Sequence, residues 1–166
     1  MPRMDPGEAR RRFLAARVAR LATVDAAGRP HLVPTVFAAL GDDGIVTAVD
    51  RKPKTTTRLR RLRNIEATGF VSLLADDYDE DWNRLWWARA DGDARIVPPD
   101  AEDERTMVEY GTALARLLRK YPQYCEIPPH GPVIAITVRR WIGWQATEPP
   151  AAERGGRDPG DGWPGP

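Results

Sequence analysis

Apolar and polar positions along the chain alternate in two registers, and the switch from one to the other marks the elements. Residues 18–24, 31–38 and 45–49 carry β-branched and apolar side chains at strand spacing. The turns Asp25-Ala-Ala-Gly28-Arg29-Pro30 and Gly41-Asp-Asp-Gly44 separate them. Separations this short belong to hairpins, so the sheet is expected to begin as an antiparallel meander. Pro34 interrupts the second strand, which predicts an edge or bulge where the lost ladder bond frees neighbouring amides to face a ligand. Residues 67–75 read as a buried strand, and 133–138 and 140–146 as strands that close the sheet, with Trp141 and Trp144 in the last.

Helical spacing takes over in three places. Asp5, Pro6 and Glu8 supply an N-cap, a first-turn proline and an acid three residues after the cap. The helix they open points Ala9, Phe13 and Leu14 inward and Arg10, Arg11 and Arg12 outward. Leu59, Leu62 and Ile65 form the apolar stripe of a second, basic helix. Residues 100–120 form the third, with Met107, Tyr110, Leu114, Leu117 and Leu118 on one face. Gly111 costs that helix about 1 kcal/mol, and close packing is the expected reason for it. Residues 121–132, rich in proline, read as an extended loop carrying His130.

The 166 residues suffice for one domain with a real core, over 1–147. From Glu148 onward five Pro and five Gly fall in 19 residues, a composition expected to be disordered. The net charge of +1 argues against a duplex-binding surface. The single cysteine, Cys125, excludes an internal disulfide and is expected to be half-buried. The first residues show no apolar leader core and no run reaches membrane-spanning length, so a soluble cytoplasmic protein is the expectation.

Nucleotide-loop, zincin and nucleophile-elbow signatures are absent. Ser72 is the only serine, and it falls inside an apolar strand. The acids at 76–81 read as a solvated loop rather than a metal site, and His31 and His130 as surface residues rather than bases. With so few candidate acids, bases or nucleophiles, a catalytic role implies a cofactor that carries the chemistry.

One stretch stands apart. Between Arg51 and Arg63 there are seven cationic side chains and no acid. Of the three lysines in the chain, against 22 arginines, Lys52 and Lys54 both fall here. A compact ammonium suits a phosphate as a point charge. Thr55, Thr56 and Thr57 follow with hydroxyls and a helix start, whose free amides favour an anion. The later arginines fit a solvated helix face; Arg51, Lys52 and Lys54 precede the helix and fit a phosphate cradle. Farther on, Trp86 and Trp87 should point to opposite faces of a strand, one into the core and the other toward solvent, a partner chain or an aromatic ligand.

In their order, ARVARLATVDAAGRPHLVPTVF, DRKPKTTTRLRRLRNI, VSLLADDYDEDW and LWWARADGDARIV resemble the pyridoxamine 5′-phosphate oxidase-like FMN-binding split barrels, and among these the F420-dependent (deazaflavin) oxidoreductases. The likeness spans residues 5–146. It implies a mainly β, α+β fold: a six-stranded antiparallel split β-barrel that forms a homodimer with the cofactor in a groove between subunits. Matched residue by residue, Arg51, Lys52 and Lys54, with Thr55 and Arg58 beside them, fall on the phosphate-binding R-K-x-K. Val33, Pro34, Thr35 and Val36 fall on the strand whose backbone runs along the ring, and Thr47, Ala48 and Val49 on the strand beneath it. Trp86, Trp87 and Arg89 fall on a strand at the dimer groove. The arginine-rich substrate motif of true pyridoxamine phosphate oxidases is missing after Trp144, where Gln145-Ala-Thr-Glu-Pro-Pro follows.

The expected activity is therefore hydride transfer between coenzyme F420 and a small conjugated organic substrate. The alternatives are an FMN-dependent oxidase or reductase of the same fold and a non-catalytic flavin- or tetrapyrrole-binding protein. An acidic tail on the deazaflavin would be drawn to Arg58 and Arg61, which leans the expectation toward F420 over FMN.

Overall fold

The computed structural model describes residues 3–49 and 59–147. In chain order the elements are β1 (Arg3–Met4), α1 (Pro6–Ala15), β2 (Ala19–Val24), β3 (Pro30–Thr35), β4 (Ala38–Leu40), β5 (Gly44–Ala48), α2 (Arg60–Thr68), β6 (Phe70–Asp77), a single 3-10 turn (Trp82–Arg84), β7 (Trp86–Val97), α3 (Glu104–Lys120), α4 (Gln123–Glu126) and β8 (Val133–Gln145). All strand pairs are antiparallel, in the order β3-β2-β6-β7-β8-β5-β4, with β1 added against β8.

The two ends of that path, β3 and β4, are consecutive in the chain and separated only by Val36 and Phe37. The expected strand at 31–38 is thus one strand that changes partner halfway, from β2 to β5. Pro34 brings no amide to the ladder yet keeps its register opposite Arg20, so the break falls not at the proline as expected but just after it, at Val36 and Phe37. With β3 and β4 counted together, and the short β1 set aside, six strands return to their start.

The final strand also differs from its expected form. Residues 133–145 form one continuous strand, and the gap expected at Arg139 is a bulge: Asp91 pairs with Arg140 and Gly92 with Val138, leaving Arg139 unmatched. Gly92 is required there, since a Cβ would stand 2.2 Å from the Thr137 carbonyl oxygen.

The helices begin and end where capping chemistry places them. Asp5 accepts from the amides of Gly7 and Glu8 and opens α1. Glu8 turns instead to Arg11 and Arg12, whose guanidiniums, Arg11 foremost, hold its carboxyl down to about 2 against the opposing effect of burial. Arg12 does not point outward as expected: it reaches Glu8 and the Gln145 side chain, with its guanidinium over the Trp86 ring. Helix α2 ends at Gly69, whose φ of 73° supplies the left-handed cap, so β6 starts later than the expected 67. Asp103 caps α3, which starts later than expected at Glu104.

Two apolar clusters hold these elements. One gathers Phe13, Leu21, Phe37, Ile45, Leu73 and Ile134 under α1 and α2. The other packs Ala113 and Leu117 of α3 against Val46, Val97, Val133 and Tyr121. Met107 is exposed rather than packed, Gly111 faces open space rather than a close neighbour, and Cys125 is exposed rather than half-buried. The segment expected as an extended loop after α3 contains the short helix α4. Among the described residues no helix is long and apolar enough to cross a membrane.

Candidate functional site

Where β3 gives way to β4, the outer surface opens into a cleft of about 260 Å³ lined by Val18, Pro34, Thr35, Val36, Ala48 and Arg61. Pro34, Thr35, Val36 and Ala48 are four of the seven residues matched to the ring-binding strands. The other three turn their side chains inward. Val33 packs on the core, while Thr47 and Val49 are buried, leaving only main chain to a ligand. Thr47 still bears on the cleft, because its hydroxyl lies 2.5 Å from that of Thr35.

A second cleft, about 530 Å³ and mostly apolar, adjoins the first; Arg20, Leu32, Leu74, Tyr78, Trp87 and Arg89 line most of it. Strand register makes the two neighbours. Pro34 of the first is the ladder partner of Arg20 of the second, and Leu32, two residues before Pro34, shares its face of β3. The row continues from Arg20 to Leu74 and from Leu74 to Arg89. Leu32 is 65% exposed and Tyr78 71%, an unusual outlay of apolar surface on an open sheet face.

The charges of the second cleft are already paired. Arg20 meets Asp76 at 2.5 Å. Asp91 accepts from the Ser72 hydroxyl at 2.6 Å, from Arg89 Nη2 at 3.0 Å and from Arg140 at 3.1 Å, while Arg89 Nε stands 2.9 Å from Asp91 Oδ1 without making a hydrogen bond. Burial pushes the Asp91 carboxyl up, but the Ser72 hydroxyl and the two guanidiniums outweigh it and hold the group below its ordinary range. Both arginines of this cleft are thus engaged by a carboxylate.

Trp86 and Trp87 point to opposite faces, as period-two alternation requires. Trp87 joins the cleft; Trp86 packs on the core, so it does not share a site with Trp87 and Arg89. His31 is half-buried with no hydrogen-bond partner at Nδ1, and burial, helped by Arg60 and Arg61, lowers its pKa. His130 is exposed. The acids expected in one loop at 76–81 divide: Asp76 and Asp77 end β6, paired with Trp87 and Trp86, and Asp76 meets Arg20, while in the loop beyond Asp79 meets Arg84 and Asp81 caps the 3-10 turn. The cradle residues Arg51, Lys52, Lys54, Thr55 and Arg58 lie outside the described residues.

Sequence reasoning passed over Val18, Arg20, Leu32, Leu74 and Tyr78 as site residues. A signal existed for two of them: Leu32 and Leu74 occupy outward positions of alternating strands, where a soluble monomer normally places polar groups, whereas Val18 precedes β2 and Arg20 is an ordinary polar residue for such a position. Tyr78 lies in the loop after β6 and had none.

The family pattern of pyridoxamine 5′-phosphate oxidase matches residues 6–145. The chain belongs to this family, and its fold is the family's split barrel, mixed α+β with an antiparallel sheet. No curated protein matches it. Among solved structures, an FAD-binding protein from Mesorhizobium loti is 18% identical, with 85% of this chain and 94% of that one covered at a TM-score of 0.64. A conserved hypothetical protein from Mycobacterium tuberculosis is 20% identical, covering 86% of each chain at 0.65. A heme storage protein from Vibrio cholerae is 17% identical, covering 84% and 94% at 0.60.

Proposed function

We propose that this protein is a cytoplasmic, homodimeric oxidoreductase that transfers a hydride between coenzyme F420 and a small conjugated organic substrate. The observation that carries the reading is the pair of adjoining clefts on one sheet face: a small one at the strand interruption and a larger apolar one beside it. The small cleft has the donor set a flat ring with a polar edge requires. Val18, Val36 and Ala48 give apolar walls, Thr35 a hydroxyl and Arg61 a guanidinium. At about 260 Å³ it suits a ring system better than a whole ligand, so the remainder of the cofactor extends beyond it.

On this reading the remainder runs toward the cationic stretch that follows β5. Arg51, Lys52 and Lys54 hold the phosphate, Thr55 adds a hydroxyl, and Arg58 and Arg61 draw the acidic tail. Each charged hydrogen bond contributes roughly 1.5–3 kcal/mol. Bound coenzyme supplies the hydride; the chain binds and orients it and keeps water from the ring. Trp87 and Arg89 serve from the second cleft, where the ring of the partner's cofactor or the substrate stacks on an indole and meets a fixed guanidinium.

The test is fluorescence titration of the purified protein with the deazaflavin coenzyme. Lys52→Ala combined with Lys54→Ala is expected to weaken binding at least tenfold, and unchanged affinity removes the cradle from the proposal. A second reading, the same fold holding FMN or acting as a non-catalytic flavin or tetrapyrrole carrier, draws on the second cleft, whose Arg20 and Arg89 are each engaged by a carboxylate. The relatives that bind FAD and store heme support it as well. Yellow protein from a host without the deazaflavin favours FMN. Tight binding with no turnover of enones, quinones or nitro compounds favours the carrier.

A further inference from the structure

We propose that Tyr121 is a positioning residue for the small cleft, its phenol fixing the separation of Val18 and Val36 across the space a ring occupies; the inference rests on the ring-binding reading above.

Phe37 falls in the interruption between β3 and β4, so neither its N–H nor its carbonyl belongs to a ladder, and its side chain is fully buried. Buried main-chain groups need partners. One oxygen serves both: the Phe37 amide donates to Tyr121 Oη at 3.1 Å, and the Phe37 carbonyl accepts from the same hydroxyl at 2.8 Å. The Arg17 carbonyl lies 2.9 Å from Tyr121 Oη and competes for its single proton. Arg17 precedes Val18 and Phe37 follows Val36, and those two valines line the cleft. The β2–β3 ladder ends at Ala19 and Thr35, one residue short of both walls, and a single phenol ties the main chain together beyond that end.

The neighbouring residue reinforces the same junction. Lys120 Nζ donates to the carbonyls of Leu14 at 3.1 Å and Ala16 at 2.8 Å, the open end of α1, and stands 3.7 Å from the centroid of the Phe37 ring. The Arg17 guanidinium covers the Tyr121 ring at 4.6 Å and donates to the Lys120 carbonyl at 3.0 Å. The last turn of α3 therefore grips the segment leading into Val18 on one side and Phe37 on the other. Tyr121 itself is 3% exposed and touches no ligand space, which separates positioning from contact.

The experiment compares full-length wild type with Tyr121→Phe, which keeps the ring and loses the hydroxyl. Ala113→Gly is the control, weakening the same helix without touching the phenol. Amide exchange of the ligand-free protein is expected to quicken at least tenfold at Phe37 in Tyr121→Phe alone. Titration with FMN and with the deazaflavin coenzyme is expected to show at least a fivefold loss of affinity in Tyr121→Phe, while Ala113→Gly, at a lowered melting temperature, stays within twofold of wild type. Where Tyr121→Phe does not fold, Lys120→Met, which releases the same junction from its other side, carries the comparison. Equal affinity in Tyr121→Phe and wild type overturns the positioning role, as do losses that follow melting temperature alike in both variants. Wild type that binds neither cofactor overturns the ring-binding reading, and this inference with it, before any variant is made.

Discussion

Thr35 and Thr47 bring their hydroxyl oxygens to 2.5 Å, joining β3 to β5 at the point where the chain between them trades one ladder partner for another. Thr47 is 1% exposed, so its hydroxyl has little access to water, and Thr35 also reaches the Val36 carbonyl at 3.2 Å. Thr47→Val keeps the shape and removes the bond. It is expected to lower stability by about 1 kcal/mol, the net value of one such hydrogen bond. Chemical denaturation reads this as a shift in midpoint with an unchanged slope. Because Thr35 lines the small cleft, cofactor affinity should fall in the same variant.

Lys120 makes stability depend on alkaline pH in an unusual direction. Burial, followed by the nearby Arg17 charge, lowers its pKa from 10.5 to about 8, and its ammonium stands over the Phe37 and Tyr121 rings. Between about 8 and 10.5 the unfolded chain holds a proton there that the folded chain has released, so this group adds stability as pH rises through that window. Below pH 8 both states are charged and the contribution is flat. Burial raises the Tyr110 and Tyr121 phenols, a contribution of opposite sign that begins near pH 10. Urea midpoints at pH 7.5 and 9.5 should therefore rise more in wild type than in Lys120→Met. Parallel behaviour of the two would place the lysine in water.

How much of this was legible beforehand varies with the range of the interaction. Local chemistry read well: Asp5 caps its helix, and period-two alternation sent Trp86 and Trp87 to opposite faces. The gap expected at Arg139 marked a real irregularity, although it is a bulge within one strand. What did not read was long-range. Pro34 announced an interruption, but no local pattern reveals that β4 pairs with β5 or that the orphaned Phe37 amide finds Tyr121, 84 residues away. Arg12 looked like a solvated charge and is instead drawn to Glu8, Gln145 and Trp86. Of the candidate site, sequence supplied the strand main chain and one wall, Trp87 with Arg89; Leu32 and Leu74 stood out only as outward apolar positions, and strand register was needed to join them into one floor.

Gly111 offers a stability test free of the site. It occupies the interior of α3, is exposed, and an added Cβ meets nothing within 4 Å. No packing requirement opposes the ordinary helix preference for alanine. Gly111→Ala is expected to stabilise the protein by about 0.5–1 kcal/mol, read as a higher denaturation midpoint. A loss of stability would show that something covers this face of α3 in solution.

The outer sheet face carries the last prediction, because the proposed dimer depends on it. Leu74 stands between Arg20 and Arg89 in the cross-strand row, is 37% exposed, and lines the larger cleft. If a second subunit covers this face, a carboxylate at position 74 would be buried against apolar surface beside Leu32, and an unpaired buried charge costs several kcal/mol. The neighbouring guanidiniums of Arg20 and Arg89 offer little relief, since Asp76 and Asp91 already occupy them. Leu74→Glu is therefore expected to yield particles of 18.5 kDa by light scattering where wild type gives twice that mass. Cofactor affinity should fall at least tenfold with the loss of the shared groove. The fold should survive, because the side chain projects from the sheet rather than into either apolar cluster. A Leu74→Glu protein that remains dimeric and binds cofactor normally would move the interface, and with it Trp87 and Arg89, away from the proposed site.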